Sequence, residues 1–81
     1  MKLEFFRKLA TLDLTGLEFR IVLLLVERET YSGDIAYSLG ISKQYCGRLI
    51  VGLVEKNILL RTKVIGNMKL YTCNKDYINN L

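Results

Sequence analysis

The stretch SLGISKQYCGRLI, residues 38–50, decides how this chain is read. Ile35, Ala36 and Leu39 form the inward stripe of a short helix, and Gly40 stops it, as a left-handed residue after a helix does. Ile41 turns inward. Ser42 then has the right chemistry to cap a second helix. From Lys43 to about Lys56, the residues Cys46, Leu49, Ile50, Leu53 and Val54 fall at i, i+3, i+4, i+7 and i+8, one complete apolar face. Gln44, Gly47, Arg48, Val51 and Glu55 occupy the opposite face, flanked by Lys43, Tyr45 and Gly52, and Asn57 is the expected C-cap. One side of this helix is built for burial, and the other carries groups suited to contact.

Upstream, Thr15-Gly16-Leu17-Glu18 has the capping-box form and opens a helix expected to reach about Glu29. Leu17, Ile21, Leu24, Leu25 and Arg28 share one of its faces, and Phe19, Val22, Leu23 and Val26 the other. A helix apolar nearly all round is buried on more than one side. Either a second subunit or the two chain ends must cover it. Residues 3–12 form a short amphipathic helix with Phe5, Phe6, Leu9 and Leu12 on its stripe. Thr30 to Gly33 form a break, with Ser32 as the expected N-cap of the short helix and Asp34 in its first turn.

Downstream of Ile58 the apolar period changes to two. ILLRTKVI and MKLYTC flank Gly66-Asn67, which predicts a hairpin with a type II′ turn. Closing the loop there pairs Val64 with Lys69, Thr62 with Tyr71 and Leu60 with Cys73. Leu60, Thr62, Val64, Tyr71 and Cys73 then face the core. Arg61, Lys63, Ile65, Met68, Leu70 and Thr72 face outward, with Ile65 and Met68 exposed beside the turn. Asn74 is expected to cap a last short turn carrying Tyr77, Ile78 and Leu81.

At 81 residues and 51 % hydrophobic, the chain suits one small globular domain. It has no proline and no histidine. Cys46 and Cys73 form no C-x-x-C pair, so they are expected to be buried small hydrophobes rather than metal ligands or a disulfide framework. No cofactor, small-molecule ligand or metal is expected. The charged N-terminus lacks a signal-peptide core, and the longest apolar run, Ile21 to Val26, is too short to span a bilayer. A cytoplasmic protein without membrane contact is the expectation. The absence of histidine, of paired carboxylates in one motif and of a nucleophile motif argues against an enzyme.

Charge is unevenly spread. Residues 43–75 hold seven basic residues and one acidic residue, a net +6, and the remainder carries −2. A cationic half of this kind suits a polyanionic partner.

The order of helix, short helix, tight turn, longer helix and basic hairpin resembles the winged helix-turn-helix DNA-binding family. DIAYSLGISKQYCGRLIVGLVEKNIL carries the resemblance through Ile35, Ala36, Leu39, Gly40, Ile41, Ser42, Cys46, Arg48, Ile50, Leu53, Lys56 and Ile58. It covers about residues 15–74. The implied fold is mainly α with a small hairpin (α+β): three main helices followed by a two-stranded wing. One domain spans 1–81, with an N-terminal extension at 1–14, a helical core at 15–57 containing the helix-turn-helix at 33–57, the wing at 58–74 and a tail at 75–81.

The implied function is sequence-specific double-stranded DNA binding by a transcriptional regulator. Lys43 and Gln44 would contact base edges, the former at guanine and the latter at adenine. Ser42, Tyr45 and Arg48 would meet phosphate or sugar, Gly47 would let the DNA backbone approach closely, and Arg61, Lys63 and Lys69 of the wing would contact phosphates or enter the minor groove. The same residues admit plainer readings: Lys43 and Gln44 as solvated positions, Arg48 as a partner of Glu55, Lys69 lying over the core edge, Gly47 as a close helix-packing point. A homodimer through residues 3–26 and the C-terminal tail would bury surplus apolar surface. Two alternatives stand beside the regulator: a plasmid or viral replication or copy-control protein, and a winged-helix protein-interaction module without nucleic acid.

Overall fold

Turn and cap chemistry sets the helix boundaries in the computed structural model, which describes residues 3–81; Met1 and Lys2 of the expected N-terminal extension lie outside the described residues. The order is α1 (Leu3–Ala10), α2 (Gly16–Leu24), β1 (Thr30–Tyr31), α3 (Ser32–Leu39), α4 (Lys43–Glu55), β2 (Leu59–Ile65), β3 (Met68–Cys73) and α5 (Lys75–Asn79). The Thr15 hydroxyl accepts from the Glu18 amide at 3.2 Å while the Glu18 carboxylate accepts from the Thr15 amide at 2.9 Å, a complete capping box. Asn74 likewise accepts from the Tyr77 amide and starts α5.

Helices α3 and α4 end alike. Gly40 takes φ 69°, and the Ile41 amide reaches back to the Ala36 carbonyl at 3.1 Å. Asn57 takes φ 66°, and the Ile58 amide reaches the Leu53 carbonyl at 3.0 Å. Both are Schellman closures, which satisfy orphan carbonyls and turn the next apolar residue inward.

Three expectations need correction. First, α2 stops at Leu24 rather than near Glu29. The Leu25 carbonyl accepts from the Cys73 amide at 3.0 Å, and the Thr72 hydroxyl lies 3.1 Å from Leu25 O and 2.8 Å from Arg28 O. Carbonyls that further helix would have used are engaged by β3 instead. Second, Ser32 is not a cap. It is the first residue of α3, whose N-cap is Tyr31 with no side-chain cap hydrogen bond. Thr30 and Tyr31 form a third strand, paired with Tyr71 and Leu70, so the sheet is three-stranded and antiparallel in the order β1-β3-β2. Among the described residues the three main helices are joined by the expected short helices at 3–10 and 75–79, α1 and α5, which pack together.

Third, the hairpin register is right at the tip and wrong at the base. Gly66 takes φ 61° at the turn, and Val64 pairs with Lys69 as expected. Beyond Lys63 the pairing slips. Arg61 faces Tyr71, Leu60 faces Thr72 and Leu59 faces Cys73, with Thr62 as the extra residue of a β-bulge. The turn dictates one register. The base dictates another, because the Cys73 amide is held by Leu25 and the Asn74 amide by the Ile58 carbonyl at 2.9 Å. The bulge absorbs the one-residue difference.

A one-residue slip exchanges faces. Leu59 is therefore buried below the bulge and Leu60 exposed; Leu70 and Cys73 are the other buried residues of the hairpin, Thr62 and Val64 are exposed and Tyr71 is half-buried. The core joins Phe5 and Leu9 of α1, Ile21 and Val22 of α2, Ile35 and Ala36 of α3, Cys46, Ile50 and Leu53 of α4, and Ile78 of α5. Helix α2 packs against α4 and β3 within this core.

The register has a direct test. Leu59 is 1 % exposed and Leu60 is 45 % exposed. Denaturant unfolding should show Leu59→Ala losing about 2–5 kcal/mol and Leu60→Ala staying within about 0.5 kcal/mol of the parent. Equal losses, or the reverse order, would show that the bulge is absent.

Candidate nucleic-acid interface

Helix α4 is anchored along one face and open along the other. Cys46, Ile50 and Leu53 are fully buried, and Leu49 and Val54 pack against the core. Ser42 Oγ accepts from the Tyr45 amide at 3.1 Å and fixes the first turn. The small Ala36 on α3 is buried in the same core, where close approach of the two helices needs a short side chain. Lys43, Gln44, Tyr45 and Arg48 consequently point to solvent, and the Arg48 guanidinium sits 5.9 Å from the centre of the Tyr45 ring.

Opposite this face stands the wing. Between them lies an open groove of about 950 Å³. Lys43, Gln44, Gly47 and Arg48 line it from α4, Ser32 and Gly33 from the start of α3, and Asn67, Met68, Lys69 and Tyr71 from the hairpin. A smaller depression of about 410 Å³ shares Val51, Lys69 and Tyr71 and adds Glu55 and Arg61. A Cβ on Gly33 would come within 2.9 Å of the Tyr31 ring, which would have to shift, and within ordinary contact of the Lys43 stem at 3.6 Å.

The fold sorts the cations of residues 43–75. Lys56 meets Glu18 at 4.0 Å, Lys63 meets Glu29 at 3.5 Å and Lys75 meets Glu27 at 3.4 Å. Lys43, Arg48, Arg61 and Lys69 have no carboxylate partner among the described residues, and all four line the two depressions between α4 and the wing. The bulge performs the sorting within the wing. Arg61 pairs opposite Tyr71 and so shares a face with Lys69, whereas Lys63 pairs opposite Leu70 on the other face. A hydrogen bond from the Thr62 side chain, with the Lys63 charge, holds the Glu29 carboxyl below its ordinary value against the opposing effect of desolvation.

Among the expected site residues, Lys43, Gln44, Gly47, Arg48 and Lys69 therefore meet at one groove and Arg61 adjoins it. Ser42 and Tyr45 lie at the exposed first turn of the same helix. Lys63 is turned away toward Glu29. Arg48 forms no ion pair with Glu55 among the described residues. Lys69 is exposed and lines the groove instead of lying over the core edge. Tyr31, Val51 and Met68 also line the groove. Tyr31 carried no sequence signal, because the two-residue strand that places it has no period to detect.

Neither mid-helix glycine is required by packing. A Cβ at Gly47 or Gly52 would meet nothing within 4 Å. No helix among the described residues packs on Gly47 closely enough to require glycine there. Burial pushes the Cys46 thiol up and the Cys73 thiol up to about 11, so both are poor nucleophiles and ligands at neutral pH. Among the described residues no group of three or more His, Cys, Asp or Glu could hold a metal ion, and no helix is long and apolar enough to cross a membrane.

No family model and no curated protein matches the sequence. Solved structures do match the fold. ZitR from Lactococcus lactis superposes with a TM-score of 0.76 at 19 % identity over 86 % of this chain and 49 % of its own. The adhesin competence repressor AdcR from Streptococcus pyogenes gives 0.71 at 22 % over 93 % and 60 %. NolR from Sinorhizobium fredii gives 0.73 at 18 % over 95 % and 76 %. The chain thus spans about half the length of ZitR and 60 % of AdcR. Helix-turn-helix α3–α4, the hairpin packed behind it and these superpositions together establish the fold of this chain as the winged helix-turn-helix.

Proposed function

We propose that this chain is a cytoplasmic transcriptional regulator that binds double-stranded DNA sequence-specifically, with α4 in the major groove from Lys43 and the β2–β3 wing over the flanking groove. One observation carries the reading. Of the seven cations in residues 43–75, the four left without an acidic partner among the described residues, Lys43, Arg48, Arg61 and Lys69, all gather between α4 and the wing. Phosphates release counterions on meeting such groups, and a helix is the element that a major groove admits. Lys43 and Gln44 read base edges, Ser42, Tyr45 and Arg48 grip backbone, and Arg61 and Lys69 hold phosphates from the wing side. Lys63 contributes at most a peripheral contact, since Glu29 competes for it. A homodimer through residues 3–26 and the C-terminal tail doubles these contacts, and Leu3, Phe6 and Leu23 remain exposed for it.

Salt titration of duplex affinity tests the sorting. Removing one phosphate contact lowers the slope of log K against log salt by about 0.9. Arg48→Ala, Arg61→Ala and Lys69→Ala should each do so, while Lys56→Ala and Lys75→Ala should not. No duplex binding at low salt, or equal effects from both groups, would refute the proposal.

Gly47 gives a second readout. Replacing it with alanine should raise helix stability by up to about 1 kcal/mol and weaken DNA affinity by roughly tenfold, because the added methyl stands where the backbone approaches. Gly52→Ala should stabilise equally and leave affinity unchanged. An unaltered affinity for Gly47→Ala removes this role. Sedimentation at high concentration decides the dimer: a strict monomer eliminates it.

A further inference from the structure

We infer that the wing tip is a wedge that kinks duplex DNA, with Ile65 and Met68 pressed between base pairs from the minor groove; the inference rests on the duplex-DNA reading above. Ile65 and Met68 are the last ladder pair before the Gly66-Asn67 turn. They lie directly opposite one another, close enough for their side chains to act as one unit. Ile65 is 55 % exposed and Met68 41 % exposed, and neither belongs to the core. Val64, next along β2, is also exposed. Two apolar side chains held at the end of a ribbon contribute little to the fold, so their use lies outside it.

Their surroundings identify what they meet. Asn67, Met68 and Lys69 line the same groove as Lys43, Gln44 and Arg48, and Ile65 stands just beyond that lining as the ladder partner of Met68, so the tip borders whatever α4 engages. From residue 58 to residue 74 the hairpin holds Arg61, Lys63 and Lys69 and no acidic residue. A second copy of the tip would bring like charges together, and so small an apolar patch falls far below the roughly 1,200 Å² of a stable protein interface. A polyanion with an apolar interior satisfies both features. Base stacks offer apolar faces behind a phosphate wall, and Ile and Met are among the side chains that part them. The minor groove is about 6 Å wide, and neighbouring strands lie about 4.8 Å apart. A ribbon tip therefore enters only where the groove opens, which is what partial unstacking brings about. Pyrimidine–purine steps yield most readily, so the wing selects sequence by deformability as well as contact.

The test uses the full chain and a duplex of roughly 30 base pairs recovered by selecting bound genomic fragments, labelled at its ends for energy transfer. A 2-aminopurine at the step under the wing reports unstacking. The parent protein should bend the duplex by about 20–90° and brighten the 2-aminopurine. Ile65→Ser/Met68→Ser should bind with a straighter duplex and a dark probe. Replacing a TA step under the wing with a stiffer one should cost the parent several-fold in affinity and cost the double variant nothing, a comparison that also holds the parent's own fold constant. A bound but straight duplex with the parent, or equal bending by the variant, overturns the wedge while leaving DNA binding intact. Loss of self-association in the variant with unchanged bending assigns the tip to a second copy and also overturns it. Absence of duplex binding in the salt titration removes the underlying reading, and the wedge with it.

Discussion

The hydrogen bond from the Cys73 amide to the Leu25 carbonyl is the constraint on which the site depends. It ties the base of the wing to the end of α2. With the Asn74 amide on Ile58 O, it sets where β3 must begin to diverge from β2. The turn at Gly66-Asn67 asks for a different register. Two local demands that cannot both be met over an unbroken ladder leave a bulge at Thr62. That bulge turns Arg61 toward α4 and Lys63 toward Glu29. A backbone hydrogen bond at one end of the hairpin thereby decides which cations face the groove.

Electrostatics and packing cooperate in the same way across the domain. The acids of the first half, Glu18, Glu27 and Glu29, meet the lysines that lie away from the groove. These exposed pairs add little stability individually. Their consequence is that, within residues 43–75, the cations left without a carboxylate partner among the described residues stand on the α4–wing face. Net charge understates this. The overall value is +4, yet the relevant quantity is where the unpaired cations stand.

The two mid-helix glycines of α4 fit the same division of labour. Each lowers helix propensity, and no neighbour within 4 Å of an added Cβ demands either. A helix optimised for stability alone would carry alanine at both. Gly47 lines the groove between Lys43 and the wing, where the absence of a side chain leaves the backbone open to an approaching partner. Gly33 differs, because a Cβ there would meet the Tyr31 ring at 2.9 Å and displace it.

Much of this was legible without coordinates. The capping box at Thr15, the left-handed turn at Gly40, the Ser42 cap, the buried face of α4 and the hairpin turn all follow from short-range chemistry, in which a few neighbouring residues determine the backbone. The groove-lining Lys43, Gln44, Gly47 and Arg48 follow from them, since helical period alone separates inner from outer positions. Partner-dependent features did not follow. The end of α2, strand β1, the bulge at Thr62 and hence the opposite fates of Arg61 and Lys63 depend on hydrogen bonds between residues distant in the chain. Sequence by itself determined which helix is presented. Tertiary structure decided what faces it, because strand register is settled where distant backbone groups must pair, and no local pattern records that demand.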